Sequence, residues 1–314
     1  MISMRRHVVT IASIFLALAV GIVLGSGLLS DTLVSGLRDD KAEMRREVQN
    51  AQDRSSRLEE QLNTADGFDA AVAPRVVRDV LIDRTVLLVS TPDTDPADLD
   101  AVMRTVDAAG GRVTGRVSLT ESFVDAAGAD LLRTTVTNII PAGVQLQTGA
   151  VDPGSLAGDL LGAVLQLDPA TGAPRSTPEE RDLALSTLRS AGFVSYDGAV
   201  EPAQSTLVVT GDGGEQNGNG NRGALVARFA AAVDTRGAGT VLTGRPGSAV
   251  GNGPVAVVRA AAALSAGLST VDNLDREAGR VTTVLALGEQ FDGGVGRYGS
   301  GPGAAAVTVG SAAR

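Results

Sequence analysis

Residues 85–111, TVLLVSTPDTDPADLDAVMRTVDAAGG, decide the fold. TVLLVS is apolar throughout, as a strand buried on both faces must be. TPDTDP is turn-like, and within it Asp95 followed by Pro96 starts a helix: a capping side chain, then a proline at the first helical position. Val102, Val106 and Ala109 give that helix an apolar face, and Gly110-Gly111 ends it. RVTGRVSL, residues 112–119, alternates as a second strand.

The pattern returns downstream. Pro178-Glu179-Glu180 opens a helix through Leu183, Leu185 and Leu188 that ends near Gly192. FVSYD (193–197) and TLVVT (206–210) read as strands, Arg222 to Val233 as a helix closed by Gly237 and Gly239, and TVLTG (240–244) as a strand. Pro254 to Leu264 reads as a helix, and Val281 to Gln290 fits either helix or strand. Strands alternating with helices imply an α/β fold, here a Rossmann-like domain with a mainly parallel sheet. The same short, wholly apolar strands argue against an outer-membrane barrel, whose strands alternate over about ten residues and carry aromatic girdles. Aromatic residues make up only 3% of this chain, too few for such girdles.

Upstream lies a different kind of sequence. Residues 8–29, VVTIASIFLALAVGIVLGSGLL, are uncharged, with Arg5, Arg6 and His7 before them and Asp31 after. At about 1.5 Å per residue the stretch can cross a hydrocarbon core of about 30 Å. The positive-inside rule keeps Arg5 and Arg6 in the cytoplasm and exports the chain beyond the apolar stretch. A cleaved signal peptide is the rival reading, but its apolar region usually spans about 7–15 residues. Ser13, Ala17, Gly21 and Gly25 recur on one helix face, where small residues let two helices approach.

From Val34 to Ala65 the chain follows a heptad. Leu37, Met44, Ala51, Leu58 and Ala65 share one core position, and Val34, Lys41, Val48, Ser55 and Leu62 share the other. In a parallel pair, Asp40 would meet Arg45, and Arg54 would meet Glu59, both with opposite sign. Gly67 and Pro74 interrupt the pattern, and a short amphipathic stretch with Val76, Val77, Val80 and Leu81 comes next. The expected organisation is a cytoplasmic N-terminus (1–7), a transmembrane helix (8–29), a coiled coil (30–66) that makes a homodimer, and an exported α/β domain (67–314) with a flexible loop near 211–223.

Composition removes most catalytic machinery. The chain has no Cys, its one His is His7 and its one Lys is Lys41. Beyond the membrane there is no imidazole for a Ser-His-Asp triad, no thiol nucleophile, no Schiff-base lysine outside the coil and no Cys or His for an ordinary zinc site. The sequence therefore assigns no catalytic, cofactor-binding or metal residue and no cofactor, and reads as a non-enzyme. A net charge of −9 argues against nucleic acid as a partner. Without disulfides, about 245 residues must hold together through their own core, which is ample.

Several motifs invite a functional reading. Gly218, Gly220 and Gly223 spell GxGxxG before a helix, which suggests a dinucleotide turn. However, the preceding strand ends eight residues too early, and no acidic residue stands at the ribose distance. Gly294, Gly296 and Gly299 repeat the pattern without a strand-helix context. Asp93, Asp95, Asp98 and Asp100 come after the first strand and could line a hard-cation site, but a cap and first-turn acids account for them more simply. Asp272 and Asp275 flank another turn, and Tyr298 reads as a buried anchoring ring.

Across its length the chain resembles the MctB family of mycobacterial copper transport proteins and their actinobacterial relatives. The matching pieces are MISMRRHVVTIASIFLALAVGIVLGSG at the start, SDTLVSGLR after the apolar stretch, GDLLG (158–162), VARFAAA (226–232), STVDNLD (269–275) and GRYGSG (296–301). The resemblance implies a role in keeping cellular copper low, in an envelope or outer-membrane channel. Similar corynebacterial proteins, SteB, imply instead a role in cell division and cell-wall hydrolase control, with envelope or divisome partners. Copper enters by resemblance only. Copper favours Cys, Met and imidazole, and beyond the membrane the chain offers only Met44, in the coil, and Met103, on a helix face expected to be buried.

Overall fold

The computed structural model describes residues 3–27, 30–147, 149–213 and 220–310. It divides into two units, Met1–Ala65 and Asp66–Arg314.

The first unit is helical. Helix α1 spans Ser3–Gly27. Its segment Arg6–Val23 has a mean hydropathy of 2.0 and no buried residue, so by length and composition it could cross a membrane. Residues 28 and 29, the end of the expected span, lie outside the described residues. Helix α2 spans Ser30–Val76. Within the first unit, Met44, Val48, Leu58 and Leu62 are all about half or more exposed. The side chain of Asp40 is outside the description, so its expected pairing with Arg45 is too.

Gly67 and Pro74 do not interrupt α2 as expected. A Cβ at Gly67 would meet nothing within 4 Å, so the residue neither turns the chain nor admits a neighbour. Pro74 sits two residues from the end of the helix, where it removes one hydrogen bond. The stop comes later, where Asp79 and Asp83 take positive φ values of 63° and 57°. Ala73, Val77 and Leu81 are buried around this turn.

The second unit is built on one sheet. Strand β1 (Thr85–Ser90), helix α3 (Pro96–Ala108) and strand β2 (Arg112–Leu119) come first, as read from the sequence. Asp95 caps α3 by accepting from the Ala97 amide, and Gly110 leaves the helix at φ 80°. Then come α4 (Glu121–Val124), α5 (Ala129–Asn138), α6 (Pro153–Leu165), α7 (Pro178–Ser190) and a two-residue strand, β3 (Val194–Ser195). Strand β4 (Ser205–Thr210), helix α8 (Arg222–Asp234) and strand β5 (Thr240–Gly244) are next. The chain closes with α9 (Pro254–Ala260), α10 (Ala262–Ser265), β6 (Ser269–Val271), α11 (Glu277–Phe291) and β7 (Arg297–Tyr298).

The strand order is β3-β2-β1-β4-β5-β6-β7. Every pair is parallel except β2 with β3, where Leu119 lies opposite Val194. Successive side chains on a strand point to opposite faces, and both faces are covered. Leu87, Val89, Val208 and Leu242 pack under α6, α7, α8 and α9. Val86, Leu88, Leu207, Val209 and Val241 pack under α3, α11 and the turn after α2, with Val77 and Leu81.

Four expectations change. The strand read at 193–197 shrinks to two paired residues at the sheet's edge, with the Arg189 guanidinium 3.4 Å above the Tyr196 ring just beyond it. The helix read at 254–264 breaks at Ala261, just after Arg259, whose side chain is buried. The ambiguous 281–290 stretch is helix α11, buried along Val284, Ala286 and Leu287. The loop expected near 211–223 is shorter, because Arg222 and Gly223 already belong to α8, and 214–219 lie outside the described residues.

Two contacts set the architecture. On one face, α6 lies backbone-close on α8: a Cβ on Gly158 would come 2.3 Å from the Phe229 carbonyl oxygen, and one on Gly154 would come 2.5 Å from that of Leu225. The Phe123 and Phe229 rings meet edge to face at 5.5 Å beside this seam. At the other end of the sheet, Arg259 is buried and holds four acceptors. Nη1 donates to Asp272 and to the Pro302 carbonyl, Nη2 to the Tyr298 carbonyl and Nε to the Thr270 hydroxyl. Asp272, fully buried, also accepts from the amides of Ser300 and Gly301. Removing one partner of a buried pair leaves the other charged and unmatched, at a cost of about 3–5 kcal/mol. Arg259→Met should therefore lower unfolding stability by about that much, measured by denaturant titration of the full chain in micelles. A change below about 1 kcal/mol would show that Asp272 finds another partner.

Candidate functional site

In open parallel sheets, ligands settle beyond the carboxyl ends of the strands where the strand order reverses. Here that point lies between β1 and β4. A narrow cleft opens there, lined by Thr91, Pro92, Asp93, Glu121, Thr210, Gly213, Arg222 and Gly223 among others.

The chain's own groups occupy much of this cleft. The Asp93 carboxylate accepts from the Thr91 hydroxyl at 2.5 Å, the Thr210 hydroxyl at 3.5 Å and the Gly213 amide at 3.0 Å. It takes the hydroxyl and amide donors that an anionic ligand would seek. The backbone crosses tightly as well: a Cβ on Gly211 would stand 2.1 Å from the Asp93 carbonyl oxygen, and one on Gly223 would stand 1.9 Å from that of Asn252. At the mouth, Arg222 pairs with Glu121 at 2.8 Å.

The glycine motifs resolve accordingly. Gly223 serves close packing at the start of α8, Gly220 lines an adjacent cleft, and Gly218 lies outside the described residues. In the second motif, Gly299, at φ 124°, leaves room for the Asp272 carboxylate, and Gly296 for the Tyr298 ring. The glycine at 294 adjoins Glu289. Gly223, Gly294, Gly296 and Gly299 are each closed in by the chain's own atoms.

The acidic cluster after β1 is also engaged. Arg245, just past β5, reaches Asp95 at 2.7 Å and Asp98 at 2.6 Å, and Arg280 on α11 reaches Asp98 at 3.4 Å. The Ala97 amide, with Arg245 beside it, holds the Asp95 carboxyl below its ordinary range. Hydrogen bonding to Asp98 raises the Arg245 guanidinium. Asp100 pairs with Arg116 at 3.5 Å. Asp275 pairs with Arg276 at 3.5 Å, and burial raises its carboxyl. The arginines that organise these acids sit 147 and 182 residues from Asp98, so no local pattern announces them.

Tyr298 is buried, and its hydroxyl donates to Glu289; burial and that carboxylate raise its pKa. The thioether of Met103 receives the Arg116 Nη1 at 3.5 Å, so a cation already stands at that sulfur. Among the described residues, no group of three or more His, Cys, Asp or Glu side chains is placed to hold a metal ion.

The structure thus defines an α/β protein with a mainly parallel sheet that follows an N-terminal apolar helix in the chain, its switch-point cleft narrowed by its own carboxylate. A sequence model of the family described as copper transport outer membrane protein, MctB, matches residues 1–309, and the chain belongs to that family. It is 48% identical to the copper transporter MctB of Mycobacterium tuberculosis H37Rv over 313 residues, which cover 98% of this chain and 99% of the relative. It is 46% identical to that of Mycobacterium leprae over 316 residues, with the same coverage.

One carboxyl outside the cleft titrates near neutrality. Asp234, at the C-terminal end of α8, has a buried Oδ1 with no hydrogen-bond partner among the described residues. Burial raises its pKa from 3.8 to about 7. The folded state therefore favours the proton. The stabilisation is complete below about pH 4, falls as the pH rises towards 7, and is absent above it. At about 1.4 kcal/mol per unit this amounts to at most roughly 4 kcal/mol. Asp234→Asn should match the parent's stability near pH 4 and exceed it at pH 8. Parallel stability profiles over that range would refute the assignment.

Proposed function

We propose that this chain is an envelope protein of copper homeostasis that acts as an anchored, paired scaffold. The observation that carries the reading is end-to-end relatedness: 48% identity over 98% of this chain to a protein named copper transporter MctB. Helix α1 crosses the cell membrane once with its N-terminus in the cytoplasm, and residues 30–314 are exported. Helix α2 pairs in parallel with that of a second copy. The exposed Met44, Val48, Leu58 and Leu62 support this, because they fall on the heptad core and want a partner. The strand order and two-faced helix packing support a Rossmann-like reading of the exported domain.

Copper handling in this proposal is indirect. One membrane helix makes no pore, and the described residues offer no cluster of metal ligands. The chain works through assembly with envelope partners rather than by catalysis. Its domain lends itself to binding other proteins, since its own charges fill the cleft where a small ligand would sit.

A second reading, a regulator of cell-wall assembly and division, draws on the same long helix with its exposed stripe. One comparison separates the two. Deletion of the gene should raise cell-associated copper several-fold, with cell shape and sensitivity to wall-active antibiotics near normal. Normal copper with misplaced septa would overturn the copper reading. Calorimetric titration of the purified chain with Cu(I) and with Cu(II) should show no tight stoichiometric binding, and tight binding would overturn the indirect route.

A further inference from the structure

Six phenylalanines occur in the chain, and five have an evident environment. Phe123, Phe193 and Phe229 are fully buried. Phe291 is partly buried, with the Arg84 guanidinium 4.4 Å above its ring. Phe15 belongs to the apolar helix α1. The sixth, Phe68, is 69% exposed on the polar helix α2, within the second unit.

Phe68 is not alone. Val76 is 49% exposed and Val72 is half-buried. Spaced by four residues, Phe68, Val72 and Val76 lie along one side of the helix. A different side meets the domain: Asp66 pairs with Arg276 at 2.9 Å, and Ala73 and Val77 are buried. At about 100° per residue the two faces stand about a quarter-turn apart or more. The domain therefore leaves the apolar side of these last turns uncovered.

The heptad says what covers it. Counted on from Leu58, Leu62 and Ala65, the core positions fall on Asp69, Val72 and Val76. Asp69 is the one polar residue among the three, and Phe68 stands beside it at a flanking position. Further up the helix, Arg54 and Glu59 have the charges that a like-oriented second copy matches.

We infer that the interface between two copies does not end at residue 66 but continues along α2 as far as Val76. Val72 and Val76 of each copy pack there against their counterparts, with Phe68 closing the flank over Asp69. The inference rests on the parallel-dimer proposal, and it adds that Phe68, Val72 and Val76, which belong to the second unit, join the contact between copies.

Because the chain has no cysteine, single-cysteine variants test this directly. Leu58→Cys, Val72→Cys and Val76→Cys, together with Ala71→Cys on the outward side as a control, would be made in the full chain in micelles and exposed to a mild disulfide oxidant. The expected result is dimer-sized cross-linked product from the variants at 58, 72 and 76, at least tenfold faster than from the control. Cross-linking at 58 with rates at 72 and 76 equal to the control would overturn the inference and leave the dimer standing. Failure at all positions, 58 included, would overturn both.

Discussion

The buried pair between Arg259 and Asp272 is the contact on which the carboxyl-terminal third of the domain depends. Strands β6 and β7 are three and two residues long, too short to hold their place through their own ladders. The Arg259 side chain, sent down from α9, bonds Thr270 in β6, Asp272 just after it, and the carbonyls of Tyr298 and Pro302. Asp272 in turn gathers the amides of the glycine-rich segment just past β7. Two charges taken from water are expensive unless hydrogen bonds replace the water, and here Arg259 makes four while Asp272 also takes the Ser300 and Gly301 amides. The result is positional specificity: a last pair of strands that could slide is pinned in one register.

The same logic runs along the whole carboxyl edge of the sheet. Asp93 takes the donors at the switch point, Arg245 draws Asp95 and Asp98 together from across the sheet, and Glu121 meets Arg222 at the mouth. In a ligand-binding α/β protein this edge keeps unmatched donors for a substrate. Here Asp93, Asp95, Asp98 and Glu121 are matched internally, while Asn273 Oδ1, Asp275 Oδ1 and Arg280 Nε, buried beside β6, have no hydrogen-bond partner among the described residues.

Legibility in the sequence depended on distance along the chain. Strands β1, β2, β4 and β5 are continuous or alternating runs with local turn signals, and their bounds agree with the sequence reading to within a residue. The helix at 178–190 announces itself by its cap. The same kind of signal, Asp152 before Pro153, marks α6, a helix that the sequence reading passes over. Strands β6 and β7 leave no periodicity to find, since two or three residues cannot show one. Pro74 misleads because a proline's cost depends on how near the helix end it lies. The site is less legible than the fold. The acids are visible in sequence, but their arginines arrive from remote strands and helices, and only the assembled sheet brings them together.

The way the domain is held together has a chemical corollary. Redox damage to proteins enters through thiolates and accessible thioethers. The second unit contains no thiol and a single thioether, that of Met103, which is partly buried and bonded to Arg116. Its fold rests on apolar packing and on ion pairs between arginine and carboxylate, none of which changes with the electron balance of its surroundings. Such a domain offers a redox-cycling metal little of the soft sulfur through which damage usually enters, and its fold does not depend on disulfides or reactive sulfur.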